Sequence, residues 1–154
     1  MTDESVNKDL VITRIFNAPR ELVYRAFVDP DQLAQWFGPV GYSVPRDTIE
    51  VDARVGGGQR LTMVNDADPS EQSPVDATFT EVVENELLVG TEKWEGVPGI
   101  QEGGIMTMRL EFHDEGDGRT RLLLRQGPYS TEMEGMAREG WNSSFTKLDK
   151  LLAS

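Results

Sequence analysis

The stretch TEMEGMAREGWNSSFTKLDKLL, from Thr131 to Leu152, decides the fold. Its apolar residues and one serine recur at steps of three and four, which places them on one face of a helix. That face consists of Met133, Met136, Ala137, Trp141, Ser144, Phe145, Leu148, Leu151 and Leu152. The opposite face carries Glu132, Arg138, Glu139, Asn142, Lys147 and Lys150. Thr131 and Glu134 have the spacing of a capping box, so the helix is predicted to begin at Thr131. A helix with so heavy an apolar face must be buried against another element.

Most of the chain before this helix has the composition and alternation of β-strands. The predicted strands are Leu10–Phe16, Thr48–Arg54, Gln59–Asn65, Val75–Val83, Leu87–Trp94, Ile105–Phe112 and Arg119–Arg125. Between them we expect a glycine turn at Gly56–Gly58, an acidic loop at Asp66–Ser73 and a glycine-rich loop at Gly96–Gly104. A last hairpin is predicted to turn at Asp114–Gly118.

Two short helices are predicted directly after the first strand. Pro19 suits the first turn of a helix, where a missing N–H is harmless, and this helix is predicted to end near Val28. Asp29 then has the features of an N-cap with Pro30 at the first helical position. Gly38, followed by a proline, is predicted to end the second helix.

This order of elements predicts an α+β fold. Consecutive strands with segregated helices indicate an antiparallel sheet of six to seven strands. A sheet of that size twists and curls, so the long helix is expected on its concave side. We expect one domain over residues 1–154, with residues 1–8 a loose polar lead.

The composition excludes several classes of protein. The 154 residues include 27 acidic and 15 basic side chains, a net charge of −12, which disfavours nucleic acid and anionic membranes as partners. There are no cysteines and one histidine, His113, so disulfides, thiolate sites and multi-histidine metal sites are excluded. No apolar run approaches the ~20 residues needed to span a bilayer, and no signal-peptide core is present at the N-terminus. We therefore expect a cytoplasmic protein without a metal or cofactor.

Two segments resemble a known superfamily. APRELVYRAFVDPDQLAQWFGP (Ala18–Pro39) and GWNSSFTKLDKLLA (Gly140–Ala153) are similar to the SRPBCC superfamily, the helix-grip proteins related to START lipid-transfer domains and the birch-pollen allergen. Within it, the chain most resembles bacterial proteins similar to the C-terminal domain of the activator of the heat-shock protein 90 ATPase. The likeness covers nearly the whole chain. Trp36-Phe37 stands where many relatives carry two tryptophans, and Asp66–Gln72 forms an extended acidic loop; both bear on what a cavity would accept.

The resemblance implies a deep cavity between sheet and helix, but no single activity. The superfamily includes lipid and hormone binders, cyclases, dioxygenase subunits and chaperone co-factors, so the fold alone does not assign a function. Large aromatic and thioether side chains are the candidate lining of such a cavity. They are Trp36, Phe37, Met63, Phe79, Trp94, Met108, Trp141 and Phe145. The same side chains would also fill a closed core, and the sequence leaves both interpretations open.

Other residues carry weaker indications of chemistry. His113 beside Asp114 has the components of an acid–base pair, but no nucleophile motif or second catalytic partner accompanies it, and an exposed turn residue is favoured. Gly56–Gly58 lacks the Lys-Ser or Lys-Thr of a phosphate loop. The acidic residues Asp66, Asp68 and Glu71 lack the spacing of a calcium loop. The strand arginines are expected on a solvated face, at Arg60, Arg109 and Arg125.

These observations favour a non-enzymatic protein that binds a hydrophobic small molecule, lipid-like or aromatic, between the sheet and the C-terminal helix. The alternative is a protein-interaction module, similar to a co-chaperone, that binds a chaperone or another protein through its outer surface. An enzyme that uses the cavity ranks third, because the sequence offers no catalytic constellation for it.

Overall fold

The computed structural model of the chain describes residues 8–94 and 104–153. In this part of the chain the strands are β1 (Lys8–Phe16), β2 (Tyr42–Ser43), β3 (Glu50–Val51), β4 (Gly58–Asn65), β5 (Asp68–Val83), β6 (Leu87–Trp94), β7 (Gly104–Gly116) and β8 (Arg119–Tyr129). The helices are α1 (Arg20–Val28), α2 (Pro30–Trp36) and α3 (Thr131–Ala153), with a 3₁₀ turn at Arg46–Thr48. The predicted loose lead lies outside the described residues except for Lys8, with which β1 begins, and the loop predicted at Gly96–Gly104 lies outside them except for Gly104.

The strands form a curled antiparallel sheet. Their order is β1-β8-β7-β6-β5-β4-β2, with β3 paired to β4 beside β2. Six of the described strands are long, whereas β2 and β3 have two residues each. The predicted α+β fold with a curved sheet of six to seven strands is therefore confirmed.

The prediction was wrong in two places on the β4 side of the sheet. The strand predicted at Thr48–Arg54 is a 3₁₀ turn followed by the two-residue strand β3. The acidic loop predicted at Asp66–Ser73 is mostly strand, because β5 begins at Asp68 and its residues pair with β4 as far as Asn65. Polar side chains on both faces concealed this extension, since alternation is visible only where one face is buried.

The two short helices follow the predicted signals closely. The Asp29 carboxylate accepts a hydrogen bond from the backbone N–H of Asp31 at 2.9 Å, and Pro30 is the first residue of α2. Gly38 lies just beyond α2 with a φ of 94°, a conformation that glycine adopts at little cost. The indole of Trp36 is fully buried, and its N–H donates to the carbonyl of Ala26 at 2.8 Å, which ties α2 to α1.

The long helix α3 begins at the predicted residue but with a different cap. The Ser130 hydroxyl accepts a hydrogen bond from the Met133 N–H at 3.2 Å, so the cap is Ser130 and not Thr131. Phe145 and Leu148 are fully buried, whereas Met136 is 59% exposed although its spacing predicted burial. Met136 therefore lies at the margin of the apolar face.

Two charged residues of α3 are less exposed than the predicted polar face implies. Arg138 is half-buried and pairs with the buried Glu134 at 2.6 Å. Lys147 is half-buried, and its ammonium donates to the carbonyl of Tyr42 at 3.2 Å. Burial lowers the pKa of Lys147, and the nearby charge of Asp66 opposes this shift.

The position of α3 on the sheet is asymmetric. Its principal contacts with strands are to β1 and β8, and it also packs against α1 and α2. Arg14 of β1 pairs with Asp149 of α3 at 2.6 Å, and the Arg138 guanidinium donates to the carbonyl of Val11 at 3.1 Å. The helix is thus held by one edge of the sheet, as in the helix-grip arrangement. None of the described helices has the length and apolarity needed to cross a membrane.

This packing predicts a sharp contrast between two apolar residues of α3. Phe145→Ala should lower the free energy of unfolding by ~3–5 kcal/mol, because it removes a fully buried ring. Met136→Ala should change it by about 0.5 kcal/mol or less, because the side chain is largely exposed. Urea denaturation of both variants checks this expectation. Equal losses would contradict the orientation of α3.

Candidate functional site

Four of the eight predicted site residues form one aromatic cluster between α2 and α3. The centroid of the Trp36 ring lies 5.5 Å from that of Phe37 and 6.3 Å from that of Phe145. Trp141 completes the cluster, with centroids 5.8 Å from Phe37 and 5.6 Å from Phe145. Aromatic pairs at such separations stabilise a fold by more than the burial of their apolar surface alone contributes. The cluster joins the C-terminal end of α2 to the middle of α3.

The predicted sheet residues lie on the concave face. Met108 of β7 is paired with Gln126 of β8 and Gly90 of β6, and Gly90 is paired with Phe79 of β5. Directly paired residues share a face of the sheet, so these four form a row across it. Met63 of β4 is close to the end of α2, since a Cβ at Gly38 would lie 3.5 Å from the Met63 sulfur. The side chain of Trp94 lies outside the described residues.

A hydrogen bond connects the aromatic cluster to this row. The Trp141 indole N–H donates to the side-chain oxygen of Gln126 at 2.9 Å. Gln126 is 8% exposed, so this bond satisfies a buried acceptor. The amide nitrogen of Gln126 makes no hydrogen bond to any other part of the chain that the structure describes.

The predicted site residues differ in burial. Trp36, Phe79 and Phe145 are buried core residues, which agrees with the interpretation that they fill the core. Four more of the predicted residues keep part of their surface accessible. Together with Ala137 of α3 we call them the concave apolar surface: Phe37, Met63, Met108 and Trp141. Because α3 packs mainly on β1 and β8, the inner face of the sheet beyond β8 is less completely covered by the helix.

A carboxylate on the same face was not predicted from the sequence. Glu92 of β6 lies two residues beyond Gly90, and it is paired with Met106 of β7 and Ala77 of β5. Its side chain is half-buried and accepts a long hydrogen bond of 3.4 Å from the Asp76 N–H. Burial raises the pKa of Glu92 to about 6; the Asp76 N–H opposes the shift, and the Asp76 charge adds to it.

Tyr129 of β8 is the polar neighbour of Glu92. The ring is 4% exposed, and the pKa of its hydroxyl is raised by burial and then by the negative charge of Glu92. The hydroxyl therefore stays protonated at neutral pH. The alternation of β6 is the sequence signal that could have identified Glu92, since Glu92 and Gly90 are two residues apart.

The weaker candidate residues have structural roles. His113 does not end its strand, because β7 continues to Gly116 and His113 is paired with Arg121 of β8. Its imidazole contacts Glu111 at 2.8 Å and not the predicted Asp114. The pKa of Glu111 is lowered, first by its hydrogen bond from Arg109 and then by that from His113.

The arginines and the glycine turn agree with their structural interpretations. Arg60, Arg109 and Arg125 are exposed at their side chains and pair with carboxylates, so no anionic ligand is needed to compensate for them. Gly57 approaches Asp52 so closely that a Cβ would collide with the Asp52 carbonyl. Among the residues that the structure describes, no group of three or more acidic or histidine side chains is placed to hold a metal ion.

Fold and site together define a helix-grip domain with a partly accessible apolar surface between its sheet and its long helix. The chain belongs to the family described as activator of Hsp90 ATPase homolog 1-like protein, whose model matches residues 17–153.

Solved structures of bacterial proteins share the whole fold. A protein of Chromobacterium violaceum is 26% identical with a TM-score of 0.82, over 96% of this chain and 98% of that one. The AHSA1 protein of Silicibacter pomeroyi is 28% identical with a TM-score of 0.78, over 94% and 97%. A protein of Nitrosomonas europaea is 25% identical with a TM-score of 0.76, over 99% and 97%. No curated protein matches the chain in sequence.

The raised pKa of Glu92 predicts how stability varies with pH. The folded state binds the Glu92 proton more tightly than the unfolded chain, so this residue's contribution to stability falls as pH rises from 4.5 to about 6. Glu92→Gln removes the half-buried charge and should stabilise the protein at pH 7, with a gain that shrinks towards pH 4.5. Urea denaturation across this range measures the gain. Glu81→Gln, which removes an equal charge from an exposed position of β5, is the control. A gain for Glu92→Gln that does not vary with pH would contradict the assignment.

Proposed function

We propose that this protein binds a hydrophobic small molecule, lipid-like or aromatic, without catalysing a reaction on it. The binding site would lie in a cavity between the concave face of the sheet and α3. The observation that carries the proposal is the partial exposure of Met108, a residue at the middle of the concave face whose neighbours in the same row include the buried Phe79 and Gln126. An apolar side chain in that place is normally covered by the opposing helix.

The chemistry of the concave apolar surface supports the same proposal. Met63 and Met108 have flexible, polarisable side chains that adapt to irregular ligands. Phe37 and Trp141 offer aromatic surface next to them, and their rings are in contact. A pocket with this lining and few polar groups is typical of sites for apolar molecules. The absence of cysteine from the sequence is compatible with a cytoplasmic location.

Thermal unfolding in the presence of fatty acids, sterols and flavonoids tests this function. A ligand held at 100 times its dissociation constant should raise the free energy of unfolding by ~2.7 kcal/mol. Met108→Trp should fill the space beside the helix and reduce that gain. Thr107→Trp introduces the same indole at the adjacent, exposed position of β7 and should leave the gain unchanged.

Two results would oppose the proposal. One is the lack of a shift with every compound in the panel. The other is an equal loss of the ligand shift in Met108→Trp and Thr107→Trp, which would separate ligand binding from the concave face.

A second function, a protein-interaction module like a co-chaperone, is favoured by membership of the Hsp90 activator-like family. In that case the outer surface is the working surface, and the net charge of −12 would steer a basic partner towards it. Capture of a purified Hsp90-type chaperone by the immobilised protein, at low and at high salt, tests this function. Binding that weakens with salt supports it, and no binding at either salt concentration argues against it.

A further inference from the structure

Glu92 places an acid on an otherwise apolar part of the concave face. Its cross-strand partners are Met106 and Ala77, and Gly90 precedes it on the same face of β6. Met108 lies beside Gly90, so the carboxyl group is one row of the sheet away from the concave apolar surface. A polar side chain in such surroundings needs a partner to offset the loss of its hydration.

Few interactions in the structure offset the loss of hydration of the Glu92 carboxylate. Within the described part of the chain it forms no ion pair, and its hydrogen bond from the Asp76 N–H is long, at 3.4 Å. Burial raises its pKa to about 6, so the group is still mostly ionised at neutral pH. The charged carboxylate is therefore half-buried, and no side chain that the structure describes places a cation beside it.

The described side chains that face Glu92 do not supply that cation. Tyr129 of β8 is neutral, and its hydroxyl remains protonated. Asp76 of β5 is itself an acid, and the β7 residue opposite Glu92 is Met106, which does not titrate. None of the described side chains around Glu92 is a cation, which leaves this place open to the positive charge of a ligand.

We propose that Glu92 is the polar anchor of the site and that the ligand is an amphipathic cation, an apolar body carrying a protonated amine. This inference rests on the proposed function, because the apolar body would lie on the concave apolar surface defined by Phe37, Met63, Met108, Ala137 and Trp141. The ammonium group would donate a hydrogen bond to the Glu92 carboxylate, and charge-assisted bonds of this kind are the strong ones. No bond is made or broken in the ligand.

Isothermal titration with three probes of equal chain length tests the anchor. Decylamine, decanol and decanoate, each below its micelle concentration, share an apolar body and differ in head group. The wild-type protein should bind decylamine at least about tenfold more tightly than decanol, as expected for a charge-assisted hydrogen bond in an apolar site. Decanoate should bind most weakly, because its charge repels Glu92. The preference for decylamine should fall as pH decreases through about 6, where Glu92 takes up its proton.

Matched variants distinguish a specific contact with Glu92 from the general electrostatic attraction between the protein and a cationic ligand. The net charge of −12 draws any cation towards the protein. Glu81→Gln removes an equal charge from an exposed position of β5 and should retain the preference for decylamine. Glu92→Gln should abolish that preference and leave decanol binding within about twofold of wild type, since the apolar contacts remain.

The outcomes distinguish this inference from the function on which it rests. Equal binding of all three probes would overturn the anchor and leave the apolar site in place. An equal loss of preference in Glu81→Gln and Glu92→Gln would also overturn the anchor. Failure of every probe to bind would overturn both the anchor and the proposed function.

Discussion

The packing of one helix against one edge of a curved sheet is the constraint on which this structure depends. α3 carries a single apolar face, and that face packs against β1, β8 and the two short helices. Buried residues such as Phe145 and Leu148 hold it there, and the ion pair between Arg14 and Asp149 fixes its C-terminal half to β1. A helix of about 10 Å diameter cannot cover a sheet whose strands are ~4.8 Å apart over its full width. The part of the concave face left less covered is the part to which we assign a function.

The fold could be predicted from the sequence wherever burial of one face imposes a regular spacing of apolar residues. The spacing of α3, the Asp29-Pro30 start of α2 and the left-handed Gly38 are local signals, and the structure confirms each of them. The errors lie where burial is weak. β5 extends to Asp68 through a segment that is exposed on both faces, and β3 is reduced to two residues. Hydrogen bonding between backbones produces such strands, and the pattern of their side chains does not predict them.

The candidate site was predicted in part for the same reason. Residue type singled out the aromatic and thioether side chains, and in the structure the rings of Trp36, Phe37, Trp141 and Phe145 are in contact. Residue type could not say which of them fill the core, because that depends on how far α3 extends over the sheet. Residue type also gave no indication of the burial of Glu92, since an acidic residue in a strand is normally expected to face solvent. Its burial results from β5, β7 and the distant Tyr129, which only the tertiary structure brings together.

The contact between Arg138 and Val11 also bears on how this protein behaves at high concentration. Among the strands that the structure describes, β1 is the outermost at its end of the sheet, so part of its backbone has no described strand beside it. Such an edge is a template onto which a strand of another molecule can add. The guanidinium of Arg138 occupies the Val11 carbonyl on this edge strand, and the side chain comes from the helix that the fold requires in any case. The same helix that completes the core therefore also occupies one of the backbone acceptors that this edge strand offers to another molecule.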